Sequence, residues 1–214
     1  MKLIPYKIRR YWLYQLGSRY HHGHRVHSPF VFDLITNVLE VRHPYYCYEE
    51  IEPQRRRLKR RVRRQCLPRK YAQMLFRLVN RFQPKCLLEF GQGDGLTAQY
   101  LGRAARIPNA AYLDQVTDAA QVRQLLEKVS PEGFCLFYRD LSPQGLQTAL
   151  EECLEKAGPD TVLVVFGIRD NRGKARVWQQ CLANDRVTLS LDMNRVGLVF
   201  FRPEQVRRCY LYRY

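Results

Sequence analysis

Apolar residues recur along this chain with two periods. Tyr6, Ile8, Tyr11, Trp12, Leu13, Tyr14 and Leu16 among Lys7, Arg9 and Arg10 predict an amphipathic helix over 6–17, ended by Gly17. Ser28 and Pro29 supply an N-cap and a first-turn proline. Phe30, Val31, Leu34, Ile35 and Val38 then make the apolar face of a helix from Phe30 to Leu39. Residues 41–52 read as an aromatic, acidic connector. Pro68 opens a helix to about Phe82, with Tyr71, Met74, Leu75, Leu78, Val79 and Phe82 at helical spacing.

From residue 86 short apolar runs alternate with helical patterns. Cys86–Leu88, Ala110–Leu113, Phe134–Tyr138 and Thr161–Phe166 read as strands, the last rich in β-branched residues. Helices are expected at about 96–106, 117–129, 143–156 and 175–182. Val187–Leu191 and Val196–Phe201 are separated by Asp192-Met193-Asn194-Arg195, short enough for a hairpin. Alternating strands and helices with a terminal hairpin predict an open, mostly parallel α/β sheet with one antiparallel strand. A helical, basic cap over residues 1–66 precedes a sheet domain over 67–214.

Charge sharpens that division. The 214 residues carry a net charge of +16. Residues 1–70 hold 17 of the 36 Lys/Arg and 5 of the 20 Asp/Glu. The run Arg55–Arg64 is basic at eight positions of ten, the pattern of a phosphate-binding stripe or of a solvated helix or loop. Both readings stay open, with nucleic acid or an anionic surface as the partner of the first. A run of this kind is expected outside the core. The aromatic helix at 6–17 carries a similar choice between an interfacial role and packing on the main domain, and packing is favoured.

Seven cysteines without a CxxC pair fit free thiols in a reducing compartment. No signal-peptide core and no apolar stretch of spanning length is present, so a cytoplasmic protein is expected. His21, His22, His24 and His27 lack metal-helix spacing and have no cysteine nearby, so no metal site is expected.

The candidate chemistry lies at Glu89-Phe90-Gly91-Gln92-Gly93-Asp94-Gly95, between the first strand and its helix. Glycines there allow a tight turn and close approach of backbone to ligand, and the following helix points N–H groups and a positive dipole end into the turn. Asp114 ends the second strand, 19 residues after Gly95, near the offset of about 20 typical of a ribose-binding acid. The spacing is not that of the dinucleotide fingerprint, and no P-loop lysine is present. The plain alternative is a tight turn that binds nothing.

The segment resembles the E-x-G-x-G-x-G motif of class I S-adenosylmethionine (SAM)-dependent methyltransferases. The likeness extends through His27-Ser28-Pro29-Phe30-Val31-Phe32-Asp33-Leu34-Ile35, His43–Ile51, Leu67–Tyr71 and Gly197–Phe201 to a Bacteroidetes-type group similar to small-molecule O-methyltransferases. The resemblance implies a Rossmann-like methyltransferase sheet, SAM as cofactor and an unidentified methyl acceptor. It implies cofactor contacts at Glu89, Phe90, Gly91, Gln92, Gly93, Gly95 and Asp114, with Glu89 at the methionine end and Asp114 on the ribose. Departures are equally specific. Tyr138-Arg139-Asp140-Leu141 stands where those proteins have Asp-Gly-Asn-His, and Phe166-Gly167 where they have an Asp-Asp pair. A strand is missing between Asp114 and Phe134. The metal and acid–base carboxylates are therefore gone, and no catalytic residue is assigned. Tyr138, Asp140, Arg169 and Asp170 are expected at the crevice mouth. Two functions follow: a methyltransferase acting by positioning, or a degenerate relative that binds nucleic acid, an anionic surface or a protein partner.

Overall fold

The computed structural model describes residues 26–129 and 133–214, apart from the side chains of Arg64 and Gln65. The expected helix at 6–17 and His21, His22 and His24 lie outside the described residues.

Seven strands form one sheet in the order β2-β1-β3-β4-β6-β5-β7: β1 Cys86–Phe90, β2 Asn109–Leu113, β3 Phe134–Phe137, β4 Val162–Phe166, β5 Leu189–Asp192, β6 Val196–Phe200 and β7 Arg208–Leu211. Only β6 runs against the rest. The hairpin β5–β6 is closed by Asn194 at φ 67°, the left-handed conformation that Asn tolerates better than most residues. β7 was not expected. It pairs parallel to β5 after the hairpin, from Leu189 opposite Arg208 to Asp192 opposite Leu211. Its charged start, Arg207-Arg208-Cys209, hides the alternation that marks a strand.

Strand side chains divide by period two between two hydrophobic clusters. On one face Leu87, Phe134, Leu136, Val162 and Val164 meet α4 Arg69–Phe82 and α5 Gly95–Ala104. On the other, Leu88, Phe90, Cys135, Phe137, Leu163 and Val165 meet α6 Ala119–Lys128, α7 Pro143–Lys156 and α8 Arg172–Ala183. Both faces of the central strands are covered, which is why they read as continuous apolar runs.

The described N-terminal elements join the first cluster. α1 Pro29–Leu34 runs into a π-helical stretch, Ile35–Leu39, where Glu40 N–H donates to the Ile35 carbonyl at 2.9 Å. Val31, Leu34, Ile35, Val38 and Leu39 are all buried there. The expected connector at 41–52 is largely a helix instead: α2 Tyr46–Arg57, with Pro53 inside it. Tertiary packing overrides the proline, because Tyr48 and Ile51 are buried and Tyr48 meets Phe76 and Tyr100 edge-on. A short helix, α3 Arg60–Gln65, follows. No helix among the described residues is long and apolar enough to cross a membrane.

Candidate functional site

β1 and β3 are neighbours, while β2 lies on the other side of β1. The order of strands therefore reverses at the carboxyl ends of β1 and β3, where an open α/β sheet leaves a crevice. The ladder continues just past the strand ends: Tyr138 N–H donates to the Phe90 carbonyl at 2.8 Å, and Gly91 N–H to the Leu113 carbonyl at 2.9 Å. These bonds set the glycine turn directly beside the Tyr138–Leu141 loop. Gly91 has φ 96°, which only glycine adopts readily.

Two cavities open here. One, of about 400 Å³, is lined by Gln92, Asp114, Gln115, Val116, Thr117 and Asp140–Ser142. The other, of about 830 Å³, lies beyond Gln92 and Asp140, which border both. Its floor is Gly93, Asp94, Gly95 and Tyr138. Its apolar wall comes from the N-terminal elements as Leu58, Val62, Cys66, Leu67 and Pro68. Residues before 67 thus flank the crevice.

The expected site residues separate on inspection. Gln92, Gly93, Gly95 and Asp114 line the cavities. Phe90 does not: it is fully buried and stacks on Phe137 with centroids 5.0 Å apart. Glu89 is partly buried and accepts from the Tyr138 hydroxyl at 2.6 Å. Burial pushes its carboxyl above the usual carboxylate range, the Tyr138 bond opposes this, and the nearby Asp94 charge adds to it. Tyr138, Asp140 and Asp170 do reach the crevice mouth. Arg169 does not, because it is held by Asp192 on the hairpin side.

Asp94 was absent from the expected set and is the busiest side chain of the turn. It is the N-cap of α5, accepting from Thr97 N–H at 2.9 Å and from the Thr97 hydroxyl at 2.7 Å. It also accepts from Leu67 N–H at 3.0 Å, tying the loop before α4 to the turn. The cap was legible as Asp followed by a helical pattern; the tie across 27 residues was not. Asp140 accepts from Gln92 N–H at 2.8 Å.

The glycine faces test what this cradle can hold. A Cβ on Gly91 would lie 2.9 Å from Asp140 Oδ1 and 3.0 Å from Tyr138 Cβ. One on Gly93 would lie 3.2 Å from the Tyr138 hydroxyl. One on Gly95 would meet nothing within 4 Å. The Asp114 side offers an exposed carboxylate beside the smaller cavity. On the Gly93 side the chain's own side chains cover the first two glycines and engage the N–H groups of Gln92 and Thr97, while the face of Gly95 stays open. Among the described residues no group of three or more His, Cys, Asp or Glu is arranged to hold a metal ion.

The basic run is split by the fold. Arg55 is buried, contrary to expectation. Its Nη1 donates to the Leu67 carbonyl at 2.6 Å and its Nε lies 3.5 Å from Glu52, which together compensate the charge. Arg56, Arg57, Lys59, Arg60, Arg61 and Arg63 are exposed.

No protein-family model matches the chain, and no curated protein matches it. Solved structures do. The O-methyltransferase of Bacillus cereus, crystallised with S-adenosylhomocysteine (SAH), aligns with 80% of this chain and 97% of its own at 15% identity and a TM-score of 0.51. SAH-bound PaMTH1 of Podospora anserina aligns with 82% and 97% at 14% identity, TM-score 0.50. TomG of Streptomyces achromogenes, an O-methyltransferase of tomaymycin synthesis in complex with SAM, aligns with 80% and 96% at 14% identity, TM-score 0.50. At these identities the likeness is one of fold. The chain has a mixed, mostly parallel Rossmann-like methyltransferase fold.

Proposed function

We propose that this chain is a methyltransferase-fold protein that binds a SAM-class nucleoside in the crevice, with the ribose on Asp114. The observation that carries the reading is the conjunction of Asp114 with an open cavity at the switch in strand order, beside a glycine turn. A carboxylate at that place accepts from both ribose hydroxyls, and about 400 Å³ is within the usual range of small-molecule sites. The printed complexes of the fold neighbours with SAH and SAM support the same ligand class.

Group transfer is the second reading. The larger cavity, apolar on the Leu58–Pro68 side, lies where a methyl acceptor would enter next to a bound nucleoside. Transfer there would rest on positioning, because Tyr138 and Phe166-Gly167 stand where the resembled proteins carry carboxylates. The missing carboxylates and the covered glycine faces favour binding over catalysis.

Calorimetric titration with SAH and with 5′-methylthioadenosine tests the nucleoside reading. Heat is expected with at least one of them. Asp114→Ala should weaken that binding tenfold or more, as loss of hydrogen bonds to a charged acceptor removes about 1.5–3 kcal/mol. No heat from the folded wild-type chain with either nucleoside sinks the reading.

The exposed residues of the basic run support a separate anionic partner, nucleic acid or an anionic surface. The substitution of Arg60, Arg61 and Arg63 by Ser should reduce the slope of log affinity against log salt for single-stranded RNA by about 2, at ~0.7 per phosphate contact. An unchanged slope removes this surface from consideration.

A further inference from the structure

Arg42, Arg56, Arg69 and Arg77 come from three separate segments: the loop at 41–44, α2 and α4. They line one cavity of about 400 Å³, which shares no lining residue with the two crevice cavities. From this convergence we infer a second ligand site, one that takes the phosphoryl dianion of inorganic phosphate or of a small phosphate monoester.

Arg77 is the central observation. It lies in α4 and is 6% exposed. Its Nε donates to the Val38 carbonyl at 2.6 Å, and its Nη2 to the Leu39 carbonyl at 3.2 Å and the Tyr214 hydroxyl at 3.0 Å. These acceptors satisfy N–H groups but carry no formal charge. Val38 and Leu39 end the π-helical stretch, so their carbonyls offer only the partial charge of a helix end. No carboxylate among the described residues pairs with Arg77. A buried guanidinium without a counter-ion is costly, and this one lines a cavity that can admit one.

The neighbouring charges do not cancel it. Four arginines face two glutamates, Glu49 and Glu52, across the cavity lining. Glu52 is buried and already engaged: it accepts from the Tyr100 hydroxyl at 2.5 Å, and Arg55 Nε lies 3.5 Å away. Arg69 reaches it only at 3.7 Å, from an exposed position. Glu49, in the first turn of α2, is exposed. Arg42 and Arg56 are exposed too, and neither has an ion-pair partner among the described residues. The surplus is two positive charges, which a dianion balances. Guanidinium forks suit the oxygens of a phosphoryl group, and His43 adds a ring N–H at the rim. The volume is within the range of small-molecule sites, so an ester's organic body can lie beside its phosphate, against Pro44 and Pro53.

The test is calorimetric titration of the full chain with inorganic phosphate, glycerol 3-phosphate and succinate at matched ionic strength. Succinate carries two negative charges without a phosphoryl group. At least one of the two phosphates is expected to bind with a dissociation constant of about 1 mM or lower, and the tighter of them identifies the source of the phosphoryl group. Arg42→Ser and Arg69→Ser, both at exposed positions, should each weaken that binding about tenfold. Lys128→Ser removes the same charge from α6 and should leave it unchanged. Arg77→Gln, checked for native circular dichroism, should abolish it; where that variant does not fold, the two exposed variants decide. No heat with either phosphate overturns the inference. So does succinate binding as tightly as phosphate, or a loss in Lys128→Ser equal to that in Arg42→Ser.

Discussion

Replacing Gly197 by alanine is expected to destabilise the fold by about 3 kcal/mol, at the upper end of the usual cost of overpacking a core. Gly197 lies in β6, opposite Val165 of β4 and Asp192 of β5. A Cβ there would overlap Trp178 Cη2 and lie 2.6 and 2.7 Å from Cζ2 and Cζ3. Trp178 is fully buried on α8, and its Nε1–H donates to Asp192 at 3.1 Å, so the indole has no cheap retreat. The strand cannot yield either, since it is bonded on both sides. For a chain of this length the melting temperature should fall by roughly 6–12 °C, read by calorimetry or by urea denaturation with Trp fluorescence. A fall under 2 °C would mean that the α8–sheet contact is looser than the geometry indicates.

Asp192→Ala is expected to cost about 3 kcal/mol, because it strips the buried acceptor from Arg169, which is partly exposed, and from two N–H donors. Asp192 is fully buried at the end of β5. One oxygen accepts from Arg169 and from Trp178 Nε1–H; the other accepts from Asn194 N–H at 2.9 Å. The Arg169 Nε already lacks a partner, so this guanidinium relies on Asp192. Asp192→Asn keeps an acceptor for Trp178 and for the turn, and should cost less than half as much. Equal losses for the two variants in urea denaturation would show that shape rather than charge matters at this site.

Both residues bear on how far the sequence could be read. The central strands were legible because burial on both faces leaves a plain apolar signature. Leu87–Phe90 and Val162–Phe166 are held between helices on either side. The glycine turn and the position of Asp114 at the end of β2 were legible because a tight turn after a buried strand needs glycine and because both follow directly from the strand pattern. The hairpin was legible from its four-residue connection. By contrast, residues 41–52 were read as an aromatic, acidic connector, although most of them lie in α2, Tyr46–Arg57, with Pro53 inside it. The burial of Tyr48 and Ile51 and the contact of Tyr48 with Phe76 and Tyr100 hold that helix in place. β7 was missed because its charged start conceals the alternation that its pairing with β5 imposes, and the burial of Arg55 because it needs the Leu67 carbonyl and Glu52 brought together around it.

The candidate site was half legible. Local sequence indicated where a crevice would form and where it departs from the proteins it resembles. It could not reveal that Tyr138 closes on Glu89, 49 positions away, or that Asp94 reaches Leu67. The first follows from the sheet register, which sets β1 beside β3, and the second from the loop before α4 lying against the turn. By itself the sequence determined the alternation of elements, the turn and its neighbouring acid, because these depend on backbone conformation and on residues close in the chain. Tertiary structure alone decided which face of the turn is open, which arginines are surface, and which charges meet in the cavity. Those are properties of side chains from separate elements converging in space, and their burial and pairing exist only once the sheet has closed on its helices.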